Sequence, residues 1–276
     1  MRIDAHQHFW DIGRLDYPWM PPGESTLRRN YLPADLAPIL ARQNFDGCVV
    51  VQANVLMAET WWLLELARQH EFIRGVVAWV DLTDPDVGRT LDECQRHEKF
   101  CGVRHIVHDE PDLRWLLRDD VLRGLRELAR RDIPYDLLLR PSHLPLIPEL
   151  AERVPGLRMV IDHIAKPLIA AHEMEPWARD METVAQIPGM HCKLSGMITE
   201  AEHRNWTAGD LTPYVRHVLK LFPPERLMFG SDWPVCLLAG TWKQVLAAFT
   251  QACGPIPQTA RNKIVGETAQ NFYGLK

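Results

Sequence analysis

Eight short apolar segments, rich in strand-forming residues, alternate with segments of helical periodicity along the whole chain. This alternation is typical of repeated βα units around a parallel sheet. Eight such units in 276 residues predict an α/β fold, a (β/α)8 TIM barrel. The alternative is a doubly wound open sheet, which is disfavoured because no Gly-x-Gly-x-x-Gly motif follows any segment. The segments are residues 2–9, 47–53, 73–81, 102–107, 133–139, 158–164, 191–195 and 226–231.

The composition limits the kinds of partner. The chain is 46% hydrophobic and 24% charged, and we expect one domain over residues 1–276 because there is no linker, repeat or low-complexity tract. A net charge of -5 argues against a nucleic-acid surface, and no apolar run approaches the roughly 18 residues of a membrane span. Six scattered cysteines without a Cys-x-x-Cys pair, and the absence of room for a signal peptide, indicate a reducing compartment. We therefore expect a cytoplasmic protein that binds a small molecule.

Polar residues at the carboxyl ends of the predicted strands are candidates for chemistry, since such a barrel has its active site there. The first strand ends in His6 and His8, whose side chains should point to one face, about 7 Å apart along the strand. His163 ends the sixth strand, and Asp232 follows the eighth. Asp232 is the natural general base, able to hold a water molecule and accept its proton. Asp4 should share the face of the two histidines one layer deeper, as a supporting carboxylate.

Each of these residues also has a structural interpretation. The histidines would then be hydrogen-bonded core residues, and Asp232 would be a helix cap or a member of an ion pair. The functional interpretation is favoured because two histidines on one face of one strand are an expensive way to fill a core, and because an unpaired buried charge is costly.

A further set of residues near the strand ends would line a pocket for a polar ligand. Their amide, acidic, imidazole and cationic groups suit hydroxyl and carbonyl oxygens, and tryptophan faces stack on sugar rings. Each residue alone is as readily structural as functional. Predicted substrate-binding residues are Trp10, Gln52, Trp79, Asp81, Arg104, His108, Lys193 and Trp233.

Residues 10–31, rich in proline and aromatic residues, follow the first strand, where a barrel would place a flap over the active site. Exposed tryptophans in this flap would permit a homodimer. Lys166, in contrast, is expected to be explained by helix contacts or by solvent exposure.

Four motifs in order resemble the amidohydrolase superfamily, and more narrowly its sugar-lactonase branch, which is related to L-fuconolactonase, L-rhamnonolactonase and the pyrone-dicarboxylate lactonases. The resemblance runs from residue 2 to about residue 273. It implies a barrel that hydrolyses a lactone in carbohydrate catabolism, with Asp232 activating water and with His6, His8 and His163 in the active site. The motifs are Ile-Asp-Ala-His-Gln-His-Phe-Trp at residues 3–10, Gly-Val-Arg-His at 102–105, Asp-His and Lys-Pro at 162–163 and 166–167, and Phe-Gly-Ser-Asp-Trp-Pro at 229–234.

The resemblance departs from the two-metal amidohydrolases. No lysine or glutamate at the end of the fourth strand offers a bridging ligand, and the fifth strand ends in Leu139 and Arg140 without a histidine. Members of this branch differ in whether they need a metal. His6, His8 and Asp232 are therefore expected either to hold one divalent ion such as zinc or to form a metal-free polar site.

The function predicted from the sequence is hydrolysis of a sugar-acid lactone, such as L-fucono- or L-rhamnonolactone, by water that Asp232 activates. Two alternatives stay open. One is a zinc-dependent decarboxylase of the same superfamily, in which the base would protonate a carbon after loss of carbon dioxide. The other is a carbohydrate-binding barrel that has lost catalysis.

Overall fold

Eight parallel strands lie side by side in sequence order and alternate with helices, which confirms the predicted (β/α)8 TIM barrel. The structure, a computed structural model, describes residues 1–20 and 23–276. The strands are β1 (Ile3–Gln7), β2 (Gly47–Val51), β3 (Ile73–Ala78), β4 (Phe100–His105), β5 (Tyr135–Leu137), β6 (Met159–Ile161), β7 (His191–Leu194) and β8 (Leu227–Phe229). The α-helices are α1 (Pro33–Arg42), α2 (Met57–Gln69), α3 (Val87–Cys94), α4 (Asp119–Arg130), α5 (Ile147–Arg153), α6 (Trp177–Ala185), α7 (Met197–Glu200), α8 (Ala208–Leu221), α9 (Trp242–Cys253), α10 (Gln258–Asn262) and α11 (Thr268–Tyr273).

The predicted strands differ from the observed ones chiefly at their carboxyl ends. The sixth and eighth segments were expected to run to residues 164 and 231, whereas β6 ends at Ile161 and β8 at Phe229. The chain leaves the ladder there because His163 and Asp232 have positive φ angles of 54° and 57°, which a strand does not accommodate.

The barrel closes between its first and last strands at the end that carries the polar residues. The backbone N–H of Asp232 donates to the carbonyl of His6 over 2.8 Å, and the N–H of His8 donates to the carbonyl of Trp233 over 2.7 Å. These two hydrogen bonds form the β1/β8 seam. The seam therefore brings the first histidines of the chain beside the aspartate more than two hundred residues later.

Apolar side chains fill the amino-terminal half of the barrel, so that polar groups concentrate at the other end. The interior cluster comprises Ile3, Ala5, Val49, Val51, Val77, Cys101, Val160 and Met228, and residues of α11 close it from below. A larger core lies between the strands and the surrounding helices. None of the helices described here is long and apolar enough to cross a membrane.

The predicted position of Asp4 is wrong, because β1 contains a bulge. Asp4 pairs with Cys48 and Gln7 with Val50, so one extra residue of β1 is inserted between the two pairs. A bulge interrupts the alternation of faces. Asp4 consequently points outward, where its carboxylate accepts hydrogen bonds from Ser231 Oγ at 2.6 Å and from Trp242 Nε1 of α9 at 2.8 Å. It braces the segment before Asp232 from outside the barrel.

Residues 8–32 connect β1 to α1 and are called the β1–α1 loop; residues 21 and 22 lie outside the described part. Trp10 and Tyr31 pair through two backbone hydrogen bonds of 3.0 Å, which fold the loop back on itself. Trp10 is fully buried, and its indole N–H donates to the carbonyl of Arg29 at 2.8 Å. Trp19 is half-buried against the core. The homodimer prediction depended on exposed tryptophans in this loop, and neither of these two tryptophans is exposed.

Candidate active site

Three imidazoles converge on one carboxylate oxygen at the mouth of the barrel. Asp232 Oδ1 lies 3.3 Å from His8 Nε2, 3.8 Å from His163 Nε2 and 3.9 Å from His6 Nε2. All four side chains are buried. The structure thus brings together the four residues for which a catalytic role was predicted.

The hydrogen bond on the far side of His8 fixes its tautomer. His8 Nδ1 is 2.8 Å from the carbonyl oxygen of Val51, and because a carbonyl only accepts, this nitrogen carries the proton. Nε2 then faces the Asp232 carboxylate across 3.3 Å. Such an arrangement needs a cation or a proton between the two atoms, and it is typical of metal-binding histidines.

Burial sets the protonation of the other groups. It is the largest cause that holds the pKa of His6, and that of His163, well below the ordinary 6.5, so both rings are neutral near pH 7. Burial alone would raise the pKa of Asp232, but His163 and the His8 hydrogen bond outweigh it, and the pKa lies below the ordinary 3.8. The site therefore presents an ionised carboxylate among neutral imidazoles.

His163 begins a left-handed turn that the sequence pattern does not reveal. Residues His163, Ile164, Ala165 and Lys166 all have φ between 48° and 60°, a conformation that costs about 1–2 kcal/mol per non-glycine residue. Side chains from neighbouring elements hold the turn: Ser195 Oγ lies 2.8 Å from His163 Nδ1, and Trp177 Nε1 donates to the Ile164 carbonyl at 2.7 Å. The turn places both His163 and Lys166 on the cavity wall.

Two glycines allow the histidines to sit this close to the barrel wall. A Cβ at Gly230 would lie 2.5 Å from His6 Cβ, and one at Gly196 would lie 2.5 Å from His163 Nδ1. Any larger residue at either position would displace a histidine from the site.

A buried ionic network lies beneath His6. Lys193 Nζ contacts Asp136, lies 3.0 Å from Asp162 Oδ1 and 3.2 Å from His6 Nδ1. Arg104 Nη1 donates to Asp162 Oδ2 at 3.1 Å and is 3.2 Å from His6 Nε2. Burial acts against the charge of Lys193, yet Asp136 and Asp162 raise its pKa above the ordinary value. Lys193 and Asp162 therefore orient His6 from below.

The active-site cavity has a volume of about 190 Å³ and opens beside Asp232. Three of the predicted substrate-binding residues, Trp10, Arg104 and His108, line it. The sequence interpretation missed Trp19 and Lys166, although the Lys-Pro motif at residues 166–167 was a signal for the second. The lining residues are His8, Trp10, Trp19, Ala53, Arg104, Ile106, His108, Asp109, Leu138, His163, Lys166, Asp232 and Val235.

The other five predicted substrate-binding residues lie away from this lining. Gln52 is fully buried and donates to the carbonyl of Arg104 at 3.3 Å, and Lys193 belongs to the network below His6. Trp79 donates to His105 Nδ1 at 3.0 Å. Asp81 is exposed and accepts from Thr83, and Trp233 packs on Phe9 and Tyr31. These residues were predicted because they lie at or near the ends of strands. The direction in which each side chain points depends on the local twist of the strand, which the sequence pattern does not show.

The donor set suits one divalent cation. Ligand atoms of His6, His8 and Asp232 lie within 4.8 Å of one another, and imidazole nitrogen with carboxylate oxygen is a ligand combination that zinc prefers. The orientation of His8, with Nδ1 donating to the Val51 carbonyl and Nε2 facing Asp232, supports this fit. Asp162 groups in the same way with His6 and His163, but its oxygens already face Arg104 and Lys193, whose positive charges oppose a second cation there.

Comparison with known proteins places the chain in a family. The amidohydrolase family model matches residues 3–275. An L-fucono-1,5-lactonase of Burkholderia ambifaria is 40% identical over 99% of this chain and 96% of its own length, and an L-fucono-1,5-lactonase of Burkholderia multivorans is 37% identical over 100% and 96%. The crystal structure of a B. multivorans amidohydrolase with bound zinc has 36% identity and a TM-score of 0.92 over the full length of both chains. The eight-stranded barrel with three histidines and an aspartate at its mouth therefore belongs to the amidohydrolase family.

Proposed function

We propose that the protein is a lactonase that opens a sugar-acid lactone, and that L-fucono-1,5-lactone, the substrate in the names of two full-length relatives, is a substrate. The observation that carries the proposal is geometric: the Nε2 atoms of three histidines, His6, His8 and His163, lie within 3.9 Å of Asp232 Oδ1. Asp232, His8 and His163 line one cavity. A base that is ionised at neutral pH, beside groups that donate or accept single protons, suits the activation of water.

In the proposed mechanism, Asp232 accepts a proton from a water molecule as the water oxygen forms a bond to the lactone carbonyl carbon. The carbonyl oxygen becomes an oxyanion. Arg104, on the cavity wall, supplies positive charge to it, and a donor of this kind is typically worth about 3 kcal/mol. The bond from the carbonyl carbon to the ring oxygen then breaks, and Asp232 returns its proton to that oxygen. The product is an open-chain hydroxy acid.

His6, His8 and Asp232 are the residues that would hold a divalent metal. When bound there, the metal supplies Lewis acidity to the carbonyl group and lowers the pKa of water. Arg104 lies 3.2 Å from His6 Nε2; because that nitrogen has a single lone pair, a metal held through it would replace this contact.

The remaining wall of the cavity suits a polyhydroxylated ring. His108 has its pKa lowered to about 3, mainly by burial, so it is neutral, and its Nδ1 is buried without a partner in the described structure. It is therefore free to bind a substrate hydroxyl. Lys166, held by Glu200 at 2.5 Å, offers ammonium donors, and the half-buried Trp19 offers an apolar face for the C–H groups of a sugar ring.

The test is a pH-indicator assay against a panel of aldonic acid lactones, run with and without a chelator. We expect acid release from L-fucono-1,5-lactone, and the chelator arm shows how far the rate depends on a metal. If no lactone in the panel releases acid above the uncatalysed rate, the proposed function is wrong. Measuring carbon dioxide in parallel with phenolic carboxylic acids tests the decarboxylase alternative.

We also propose that this reaction takes place in the cytoplasm. The support is chemical: all six cysteines are buried as free thiols, which suits a reducing compartment. Immunodetection in separated cytoplasmic and envelope fractions tests the proposal, and recovery in the envelope fraction alone would contradict it.

A further inference from the structure

Glu59 is a fully buried carboxylate outside the catalytic cluster that the mechanism above does not use. It lies in the first turn of α2, and its Oε2 accepts hydrogen bonds from the backbone N–H of Ala53 at 2.9 Å and of Asn54 at 2.8 Å. A buried carboxylate is tolerated only where donors compensate for the loss of water. Glu59 therefore holds the turn that follows β2 from beneath.

The same two residues anchor the β1–α1 loop. Trp19 Nε1 donates to the carbonyl of Ala53 at 2.8 Å, and Asn54 Nδ2 donates to the carbonyl of Asp16 at 2.6 Å. These two tethers lie three residues apart in the β1–α1 loop. The position of this part of the loop is thus set by the turn that Glu59 holds.

Tyr17, between the two tethers, packs toward the same carboxylate. It is buried, and the negative charge of Glu59 is, after burial itself, the largest cause that raises the pKa of its hydroxyl. Glu59 is thereby in electrostatic contact with the loop as well as hydrogen-bonded to the turn beneath it.

The loop forms one wall of the active-site cavity. Trp10, Trp19 and Ala53 line the cavity together with Asp232, whereas Glu59 is not part of the lining. Resting on the lactonase function proposed above, we propose that Glu59 is a positioning residue that fixes this tryptophan wall and so strengthens substrate binding without touching the substrate. It acts on the ground state and the transition state alike, since the wall contacts the ring of the substrate and not the bond that breaks.

The test compares Glu59→Ala, Glu59→Gln and Asn54→Ala with the unmodified protein. Hydrogen exchange of residues 10–20 is measured without substrate, and KM and kcat are measured with L-fucono-1,5-lactone. Because the hydrogen bonds from Ala53 and Asn54 are lost, Glu59→Ala should raise both the exchange rate and KM by about tenfold, with kcat changed by less than about threefold. Glu59→Gln keeps an acceptor oxygen and should restore most of the loss. Asn54→Ala removes one tether and should raise both quantities by about threefold.

Glu65→Ala is the matched control, because Glu65 lies on the same helix but is exposed and paired with Arg68. It should leave exchange, KM and kcat unchanged. Unaltered exchange of residues 10–20 in folded Glu59→Ala would overturn the proposal, as would a fall in kcat at constant KM. Should Glu59→Ala fail to fold, Asn54→Ala decides by the same criterion. If the unmodified protein opens no lactone, the proposed function fails, while the exchange measurement still decides the role of Glu59.

Discussion

His8 Nε2 lies 3.3 Å from Asp232 Oδ1, while its Nδ1 donates to the carbonyl of Val51. The two residues come from opposite ends of the chain, and two electron-pair donors at this separation attract each other only through a shared cation or proton. In the proposed mechanism this pair is therefore where the base meets the proton of water, and it supplies two of the three ligands that would hold a metal.

Zinc binding should depend on this pair. We expect metal-free protein to bind one Zn²⁺ per chain, and His8→Ala to weaken that binding by about 100-fold or more, since loss of a ligand exceeds the 10- to 100-fold effect of altering a group behind one. Calorimetric titration with Zn²⁺ measures this directly, without reference to turnover. His203→Ala, at an exposed site, is the control, and equal affinities in all three proteins would refute the assignment.

Asp232→Asn should abolish most of the activity. The amide cannot accept a proton from water, so kcat should fall by about 10²- to 10⁴-fold, while KM changes little because the asparagine occupies the same volume. Asp81→Asn, at an exposed carboxylate outside the cavity, should behave like the unmodified enzyme. Retention of near-normal kcat in Asp232→Asn would exclude this residue as the base.

The rate at saturating substrate should not fall as the pH is lowered moderately below neutrality. The pKa of Asp232 is held below 3.8, so its base form persists, and the pKa values of His6 and His163 are well below 6.5, so these rings stay neutral. We expect kcat to be constant between about pH 7.5 and about pH 5.5, because a plateau ends near the pKa of the essential base. A decline centred near the ordinary histidine pKa would show that an imidazole, not Asp232, is the base.

Lys193→Met should destabilise the protein strongly. The substitution leaves Asp136 and Asp162 buried near each other without their shared cation, and breaking a buried pair in this way costs about 3–5 kcal/mol. Lys166→Met is the comparison, because Lys166 is also paired with a carboxylate but is partly exposed; it should cost about 1 kcal/mol or less. Urea unfolding of both variants gives the two free energies, and similar values would argue against the network.

Glu59 should make the protein less stable as the pH rises through neutrality. Burial raises its pKa from 4.5 to about 7. The folded protein thus binds this proton more tightly than the unfolded chain does, so the stabilisation is complete below pH 4.5 and is lost as the pH rises through 7. Glu59→Gln does not titrate, and its free energy of unfolding relative to the unmodified protein should increase by about 2–3 kcal/mol between about pH 5 and about pH 8. A difference independent of pH would show that Glu59 does not titrate in this range.

The fold and the meeting of three histidines with Asp232 could be predicted because they depend on periodicity and on position along the chain. Alternating segments specify a barrel, and a barrel gathers the ends of its strands, so His6, His8, His163 and Asp232 had to meet. Asp4 was misplaced because a single inserted residue in β1 reverses the face of a side chain. The alternation of side chains along a strand does not predict where such an insertion occurs.

Residues that depend on the conformation of a loop were harder to predict from the sequence. Lys166 reaches the cavity through a left-handed turn of four non-glycine residues, which local propensity opposes and tertiary contacts from Ser195 and Trp177 maintain. Glu59 gave no signal at all, because a glutamate in the first turn of a helix is an ordinary stabilising residue. The residues that Glu59 binds lie in the turn just before its helix. The loop whose position it is proposed to fix lies about forty residues earlier in the chain.

The β1/β8 seam affects when the active site forms during folding. Asp232 hydrogen-bonds to His6, and His8 to Trp233, only when the first and last strands have met. Seven strands and their helices can therefore assemble without bringing Asp232 beside His6 and His8. During refolding, recovery of turnover should lag behind recovery of secondary structure, because turnover reports the joining of the two ends of the chain, the contact with the greatest loop-closure cost in the barrel.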